Sequence, residues 1–239
     1  MRGGVTEGER GRAQAAWAGF APGAARRALD LLVGAAALLL LAPLIVLVAL
    51  AVRLSSPGPV IFRQVRVGQG GRHFTLLKFR TMRPGERGPE VTRGGDRRVT
   101  PVGRLLRTSG ADELPQLLNV LRGEMTLVGP RPETPALAAR YPADCRAVFD
   151  HRPGLTGPTQ VRLRDKDVLP PAGVPDLEAY YLRELVPSRV ALDFSYLDDP
   201  SLARTLAMLW HTAAYLLRGS PAARPRGQQV HLPERPSWR

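Results

Sequence analysis

The chain has 239 residues, enough for one sizeable domain with appendages, and carries 34 Lys+Arg against 21 Asp+Glu, a formal net charge of +13. Lysine occurs only at Lys78 and Lys166, so the basic charge is almost all arginine; it suits an anionic surface such as phospholipid headgroups, nucleic acid or a phosphorylated substrate. The one cysteine, Cys145, excludes an intramolecular disulfide, and no paired Cys/His cluster suggests zinc.

Residues 1–24 are rich in Gly, Ala and Arg and read as a flexible tail. A secretory signal peptide is not expected, because the apolar core starts too late and is too long. Residues 28–52 are apolar except for Asp30, and about 20 such residues suffice to cross a bilayer as a helix. Arg26 and Arg27 precede this stretch, and Arg53, Arg63 and Arg66 follow it, so the positive-inside rule gives no direction. Pro43 lies near the middle and favours a break. Two readings stay open: a helix that enters, bends at Pro43 and returns to the same face, or an ordinary kinked transmembrane helix. Asp30 is expected to pair with Arg26 or Arg27 one turn back, since an unpaired charge there is costly.

Residues 55–59, S-S-P-G-P, form a turn. Two β-prone runs then flank G-Q-G-G and predict a hairpin, whose arginines and Lys78 face either solvent, headgroups or a substrate phosphate. Residues 83–101 are charged, rich in Gly and Pro, and read as a mobile loop. The next stretch, Leu105 to Glu133, organises the chain. Ser109-x-x-Asp112 has capping-box spacing with Thr108 beside it, so a helix is expected to start at the adjacent carboxylates Asp112 and Glu113. Leu114, Leu117, Leu118 and Leu121 give it an apolar face, and Gly123 ends it. A G-P-R-P turn carrying Arg131 follows. Acidic residues in a first helical turn commonly do no more than complement the helix dipole. Here Arg104, Arg107, Arg122 and Arg131 surround them, and carboxylates beside arginines and a helix N-terminus suit a phosphate site.

Residues 134–150 read as a helix packed through Tyr141, Val148 and Phe149. Residues 151–161 read as a turn-rich loop in which His151 is a weak candidate for catalysis. Residues 176–186 form a helix holding Tyr180 and Tyr181, and 201–218 an amphipathic helix that packs on the core or lies in a membrane interface. The tail from Gly219 reads as disordered.

The motifs R-R-A-L-D, the proline within the apolar segment, K-F-R-T-M at 78–82, A-D-E-L-P-Q-L-L-N-V-L-R-G-E-M at 111–125, V-G-P-R-P at 128–132 and R-P-G-L-T-G at 152–157 occur in that order. Together they resemble the bacterial sugar transferases, the monotopic phosphoglycosyl transferases that start glycan assembly on a polyprenyl phosphate. The resemblance implies a mostly α fold with a small β-hairpin: a single re-entrant membrane helix plus a cytoplasmic-face catalytic domain with interfacial amphipathic helices. It divides the chain into a tail (1–24), the membrane helix (25–54, broken at Pro43), the catalytic domain (55–218) and a second tail (219–239). It implies Asp112 and Glu113 as the catalytic pair and as ligands of Mg²⁺. It implies transfer of a sugar 1-phosphate from a UDP-sugar to undecaprenyl phosphate with release of UMP, at the inner membrane among phospholipids. Nucleic acid is not an expected partner, and a homodimer is left open. Longer relatives carry extra transmembrane helices upstream, so this chain looks like the minimal form. Arg131 and Arg107 are expected to bind phosphate, with Lys78, Arg80 and Glu124 behind them. The chain departs from the family pattern at Ala42, where serine is frequent, at Pro158, where tryptophan is frequent, and at Thr205, where the family's final helix is acidic. The competing readings are a membrane-anchored hydrolase and a non-catalytic basic anchor that binds anionic lipid or nucleic acid.

Overall fold

The computed structural model describes residues 23–85, 96–163 and 176–218. The tail expected at 219–239, the first 22 residues of the tail expected at 1–24 and the middle of the loop expected at 83–101 lie outside those residues; Ala24 already belongs to the first helix. What is described is mostly helical, as expected, with two small two-stranded sheets.

Helices α1 (Ala24–Leu40) and α2 (Ala42–Ser55) meet at an angle of 61°. The break falls at Leu41, two residues before the Pro43 expected to mark it. Proline has no N–H for the carbonyl of Leu39 and its ring crowds that turn, so the helix gives way upstream. Pro43 itself then sits in the first turn of α2, where no donor is needed. Among the described residues no single helix is long and apolar enough to cross a membrane, but the bent pair passes that test together. Its outer side is bare: Leu32 is 71% exposed and Leu40 80%.

The inner side of α1 is fixed by polar contacts. Asp30, 2% exposed, accepts from the Thr126 hydroxyl at 2.8 Å and from the Leu127 N–H at 2.9 Å. The expected pairing with Arg26 or Arg27 is thereby corrected. A strand amide and a hydroxyl satisfy the buried carboxylate, which leaves both arginines for other acceptors. Arg26 donates to the Val128 carbonyl and the Tyr196 hydroxyl; Arg27 donates to the carbonyls of Val120 and Leu121, at 2.7 and 2.9 Å.

Strands β1 (Ile61–Val67) and β2 (His73–Phe79) form the expected antiparallel hairpin, with Phe62 opposite Lys78 and Val67 opposite His73. The central stretch is not one helix from Asp112 but two helices joined by a turn. Helix α3 (Pro101–Ser109) starts where the Thr100 hydroxyl accepts from the Gly103 N–H at 2.9 Å, and it ends at Gly110 with φ 75°. Residues Ala111–Glu113 make a 3₁₀ turn, and α4 (Gln116–Arg122) follows. Thr108 and Ser109 therefore do not cap a helix start. Their hydroxyls bond back to the carbonyls of Arg104 and Leu105 in the last turn of α3. Thr-Pro upstream is the stronger start signal, and the left-handed conformation at Gly110 is the stop.

Helix α4 lies on β2 through Asn119, fully buried, whose side chain accepts from the Leu77 N–H and donates to the Thr75 carbonyl at 3.1 and 2.8 Å. That contact rotates the helix, so Leu117 and Val120 are buried while Leu118, expected on the apolar face, is exposed. The segment 151–161, expected as a loop, instead holds β4 (Gly154–Thr156) and the start of α6 (Pro158–Leu163); β4 pairs in parallel with β3 (Thr126–Val128). The helix expected over 134–150 is split into α5 (Pro135–Ala139) and a 3₁₀ segment (Ala143–Asp150), with Tyr141 and Val148 buried and Phe149 packed on Tyr141. Helix α7 (Leu177–Tyr180) runs through a wide π turn (Tyr181–Leu185) into α8 (Val186–Leu197), well past the end expected at 186. Helix α9 (Leu202–Arg218) sets Met208 and Leu209 against the core and leaves Leu206 and Trp210 exposed. Thr205, at the position that departs from the family pattern, is a packing residue bonded to the Tyr196 hydroxyl at 2.7 Å.

Candidate active site

Asp112 sits in the 3₁₀ turn between α3 and α4, 8% exposed, and accepts no hydrogen bond from any described residue. A carboxylate this buried is normally held by donors. Burial pushes its pKa up, the neighbouring Glu113 pushes it further, and Lys78, Arg131 and Arg107 pull it back; the balance is a value of about 6. The same charges identify the cluster. Lys78 reaches it from β2, with its ammonium 5.1 Å from the centre of the Phe62 ring on β1. Burial and the cations Arg66, Arg131 and Arg107 depress Lys78 to about 8, against the pull of Asp112. Arg107, in the last turn of α3, is oriented by the Thr81 hydroxyl, to which its Nε donates at 2.9 Å. Arg131 donates from Nη2 to Glu113 Oε1 at 3.0 Å and remains about half exposed.

The local sequence explains this convergence. Helix α3 crosses the end of β2 at Gly103, where a Cβ would collide with the Thr81 carbonyl oxygen, so only glycine lets the elements carrying Arg107 and Lys78 come this close. The G-P-R-P turn is pinned by the parallel pair: the Gly129 N–H donates to the Thr156 carbonyl at 2.9 Å, and the Gly154 N–H to the Pro130 carbonyl at 2.8 Å. The motifs V-G-P-R-P and R-P-G-L-T-G are thus the two sides of one ladder, and Arg131 leaves it toward Glu113.

Two expected residues do not join the cluster. Arg80, 6% exposed, donates to the carbonyls of Val52, Ser56 and Pro59 and so secures the chain where α2 ends. Its position next to the K-F strand carried no sign of burial. Glu124 lies past the far end of α4 and accepts from the Asn119 amide at 2.6 Å. Pro43 belongs to the break between α1 and α2 and not to the site. His151 packs edge-on against Phe194 at 5.7 Å, and burial depresses its pKa.

A support network escaped the sequence. Glu133, two residues beyond Arg131, is buried; it accepts from the Tyr181 hydroxyl and lies 3.7 Å from Arg66. Arg66 also donates to the Pro132 carbonyl, and Arg189 to the Tyr181 hydroxyl at 2.8 Å. Tyr181 opens the π turn, a feature that recurs near functional sites. The adjacency of Glu133 to G-P-R-P was the available signal.

Among the described residues no group of three or more His, Cys, Asp or Glu side chains converges to hold a metal. Asp112 and Glu113 alone fit Mg²⁺, which takes one or two carboxylates and completes its shell from substrate phosphates and water. Chemically the cluster offers one carboxylate without a hydrogen-bond donor among the described residues, as nucleophile or metal ligand, a second carboxylate held by arginine, and three cations that suit phosphate.

The model of the bacterial sugar transferase family matches residues 22–219. A Caulobacter vibrioides protein named UDP-glucose:undecaprenyl-phosphate glucose-1-phosphate transferase is 47% identical over 199 residues, covering 80% of this chain and 69% of that relative. An Escherichia coli protein of the same name is 45% identical over 141 residues, covering 57% of this chain and 30% of the relative. The exopolysaccharide production protein ExoY of Rhizobium meliloti is 38% identical over 221 residues, covering 83% and 88%. The chain thus spans most of two of these relatives and under a third of the other. With the family model covering residues 22–219 and the motifs lying inside that span, the chain belongs to the bacterial sugar transferase family.

Proposed function

We propose that the protein transfers a sugar 1-phosphate from a UDP-sugar to undecaprenyl phosphate and releases UMP, with UDP-glucose as the first donor to test because two of the relatives carry it in their names. The observation that carries this reading is the buried carboxylate of Asp112, without a hydrogen-bond donor among the described residues and flanked by Lys78, Arg107 and Arg131. A structural acid would be bonded; an unbonded one among cations is suited to attack on phosphorus.

A carboxylate oxygen of Asp112 attacks the β-phosphorus of the donor. The bond from that phosphorus to the bridging oxygen breaks, and UMP leaves with the electron pair. The chain then holds the sugar phosphate as an acyl phosphate on Asp112. A phosphate oxygen of undecaprenyl phosphate attacks the same phosphorus and displaces the Asp112 carboxylate, giving the undecaprenyl diphosphate sugar. Arg131 and Lys78 hold the donor phosphates, and Arg107 adds charge at the leaving group; such positioning and neutralisation carries most of phosphoryl-transfer catalysis. Glu113 orients Arg131. Mg²⁺, held by Asp112 and Glu113, would neutralise the diphosphate.

The bent pair α1–α2 serves as a re-entrant anchor, both ends on the cytoplasmic face, with exposed leucines in the hydrocarbon and the cluster at the surface where a lipid phosphate lies. A non-catalytic basic anchor gives no reason to keep an unbonded buried carboxylate. The test is UMP release by the full chain in nanodiscs containing undecaprenyl phosphate, with Mg²⁺ and a panel of UDP-sugars. UMP and lipid-linked sugar from one donor, absent in Asp112→Asn, are expected. Sugar phosphate freed into water without lipid product would favour the hydrolase reading instead.

A further inference from the structure

At the opposite end of α4 from Asp112 is a cavity of about 450 Å³, lined by the hairpin turn Gly68–Gly70, Arg72, His73, Gly123, Glu124 and Arg152. From Glu113 to Gly123 at a helical rise the separation is roughly 15 Å, so it is distinct from the transfer cluster. Its charge is lopsided. Arg152 is half-buried and makes no hydrogen bond or ion pair with any described residue. Arg72 stands exposed on the rim. Arg27 adjoins the cavity floor, since a Cβ on Gly123 would stand 3.4 Å from its Nη2. Glu124 is the one acidic residue, and the Asn119 amide already binds it at 2.6 Å. The Asp30 carboxylate also acts on Arg152, but the Thr126 hydroxyl and the Leu127 N–H already hold it. A half-buried guanidinium beside other cations, near carboxylates that other donors occupy, suits an anion with several acceptor oxygens, and phosphate matches its fork of donors.

The cavity's height along α1 selects the source of that phosphate. Helix α1 runs antiparallel along α4: Gly34 packs on Leu121 and Val120, while Arg27 reaches Gly123. Exposed apolar surface begins at Leu31 and Leu32, about one turn beyond Arg27. With those leucines in the hydrocarbon, the cavity opens at the headgroup level of the same leaflet.

We propose that this cavity binds the phosphate of an anionic bilayer phospholipid, through Arg152 with Arg72 at the rim, and that this bound lipid sets the depth of α1 in the membrane. The inference rests on the membrane reading of α1 given above but not on transferase activity.

The test uses the full chain in nanodiscs of equal phosphatidylglycerol and phosphatidylcholine, without UDP-sugar, and native mass spectrometry of the lipids that stay bound on release. Wild type is expected to retain phosphatidylglycerol over phosphatidylcholine. Arg152→Gln is expected to lower that preference about tenfold, as loss of a charge-assisted contact implies, with Arg152→Lys restoring part of it. Arg72→Gln, on an exposed side chain that nothing in the fold depends on, is expected to lower it less and to keep the melting temperature. Unchanged preference in both glutamine variants would overturn the proposal. So would displacement of the retained lipid by UMP, inorganic phosphate or undecaprenyl phosphate, since the cavity would then be a free-phosphate or substrate site. Because no donor is present, a protein inactive as a transferase gives the same readout.

Discussion

Removing the charge of Asp112 should abolish transfer and stabilise the fold. Burial and Glu113 raise the Asp112 pKa from 3.8 to about 6. Raising a pKa by one corresponds to about 1.4 kcal/mol, so holding this carboxylate ionised costs about 3 kcal/mol at pH 8. The sign follows from linkage. Below the unfolded value both states bind the proton and there is no cost; as pH rises through about 6 the folded state loses a proton it holds more tightly than the unfolded chain does, and stability falls. Asp112→Asn is isosteric and escapes this cost. Thermal unfolding in nanodiscs, in EDTA so that no divalent cation offsets the charge, should show the variant melting roughly 5–10 °C above wild type at pH 8. The gap should close near pH 4. UMP release should be lost at every pH. An Asn variant that melts at or below wild type at pH 8 would refute the reasoning, because Asp112 would then be a stabilising ion-pair residue.

Other consequences are as direct. Gly103→Ala drives a Cβ against the Thr81 carbonyl and should cost about 3 kcal/mol or more, read as loss of folded protein on size exclusion. Asp30→Ala leaves the Thr126 hydroxyl and the Leu127 N–H without their acceptor and should cost about 2–4 kcal/mol, read as a drop in melting temperature. Arg131→Lys keeps the charge but not the guanidinium fork, so transfer should fall about 10²-fold, with intact-mass measurement showing less acyl phosphate on Asp112. The acid limb of UMP release should lie near pH 6 and move lower in Glu113→Gln, since the neighbouring charge that raises Asp112 is gone; a pH-rate profile checks this.

Much of the fold was legible where one rule acted locally. β-prone runs around G-Q-G-G gave the hairpin, and helical spacing gave α9 and the apolar pair. The capping signal at Ser109 misled because Thr100-Pro101 and Gly110 outweighed it, which moved Asp112 from a helix start to a turn. Strands β3 and β4 are three residues each and pair across the intervening α5, so neither has a period to read. At the site, Asp112, Glu113 and Arg131 were named from motif and charge. Nothing in the letters separates Arg131, half exposed beside Glu113, from Arg80, buried against carbonyls of α2; tertiary placement decides between them. Tyr181 and Glu133 meet from positions far apart in the chain, a distance no local pattern spans.

The arginine at the start of α1 has a practical meaning for anyone wanting a water-soluble version of this enzyme. Arg27 supplies the donors that finish α4, the helix that follows the Asp112 turn, and Asp30 supplies acceptors that finish β3. Cutting α1 and α2 away would therefore expose those carbonyls and amides and unravel the framework around Asp112 along with the apolar pair. Solubility has to come from repainting outward leucines such as Leu32, Leu39, Leu40 and Leu54 while the inward arginines and aspartate stay. The α1–α2 pair is a wall of the fold that carries the Asp112 cluster and not a tether attached to it.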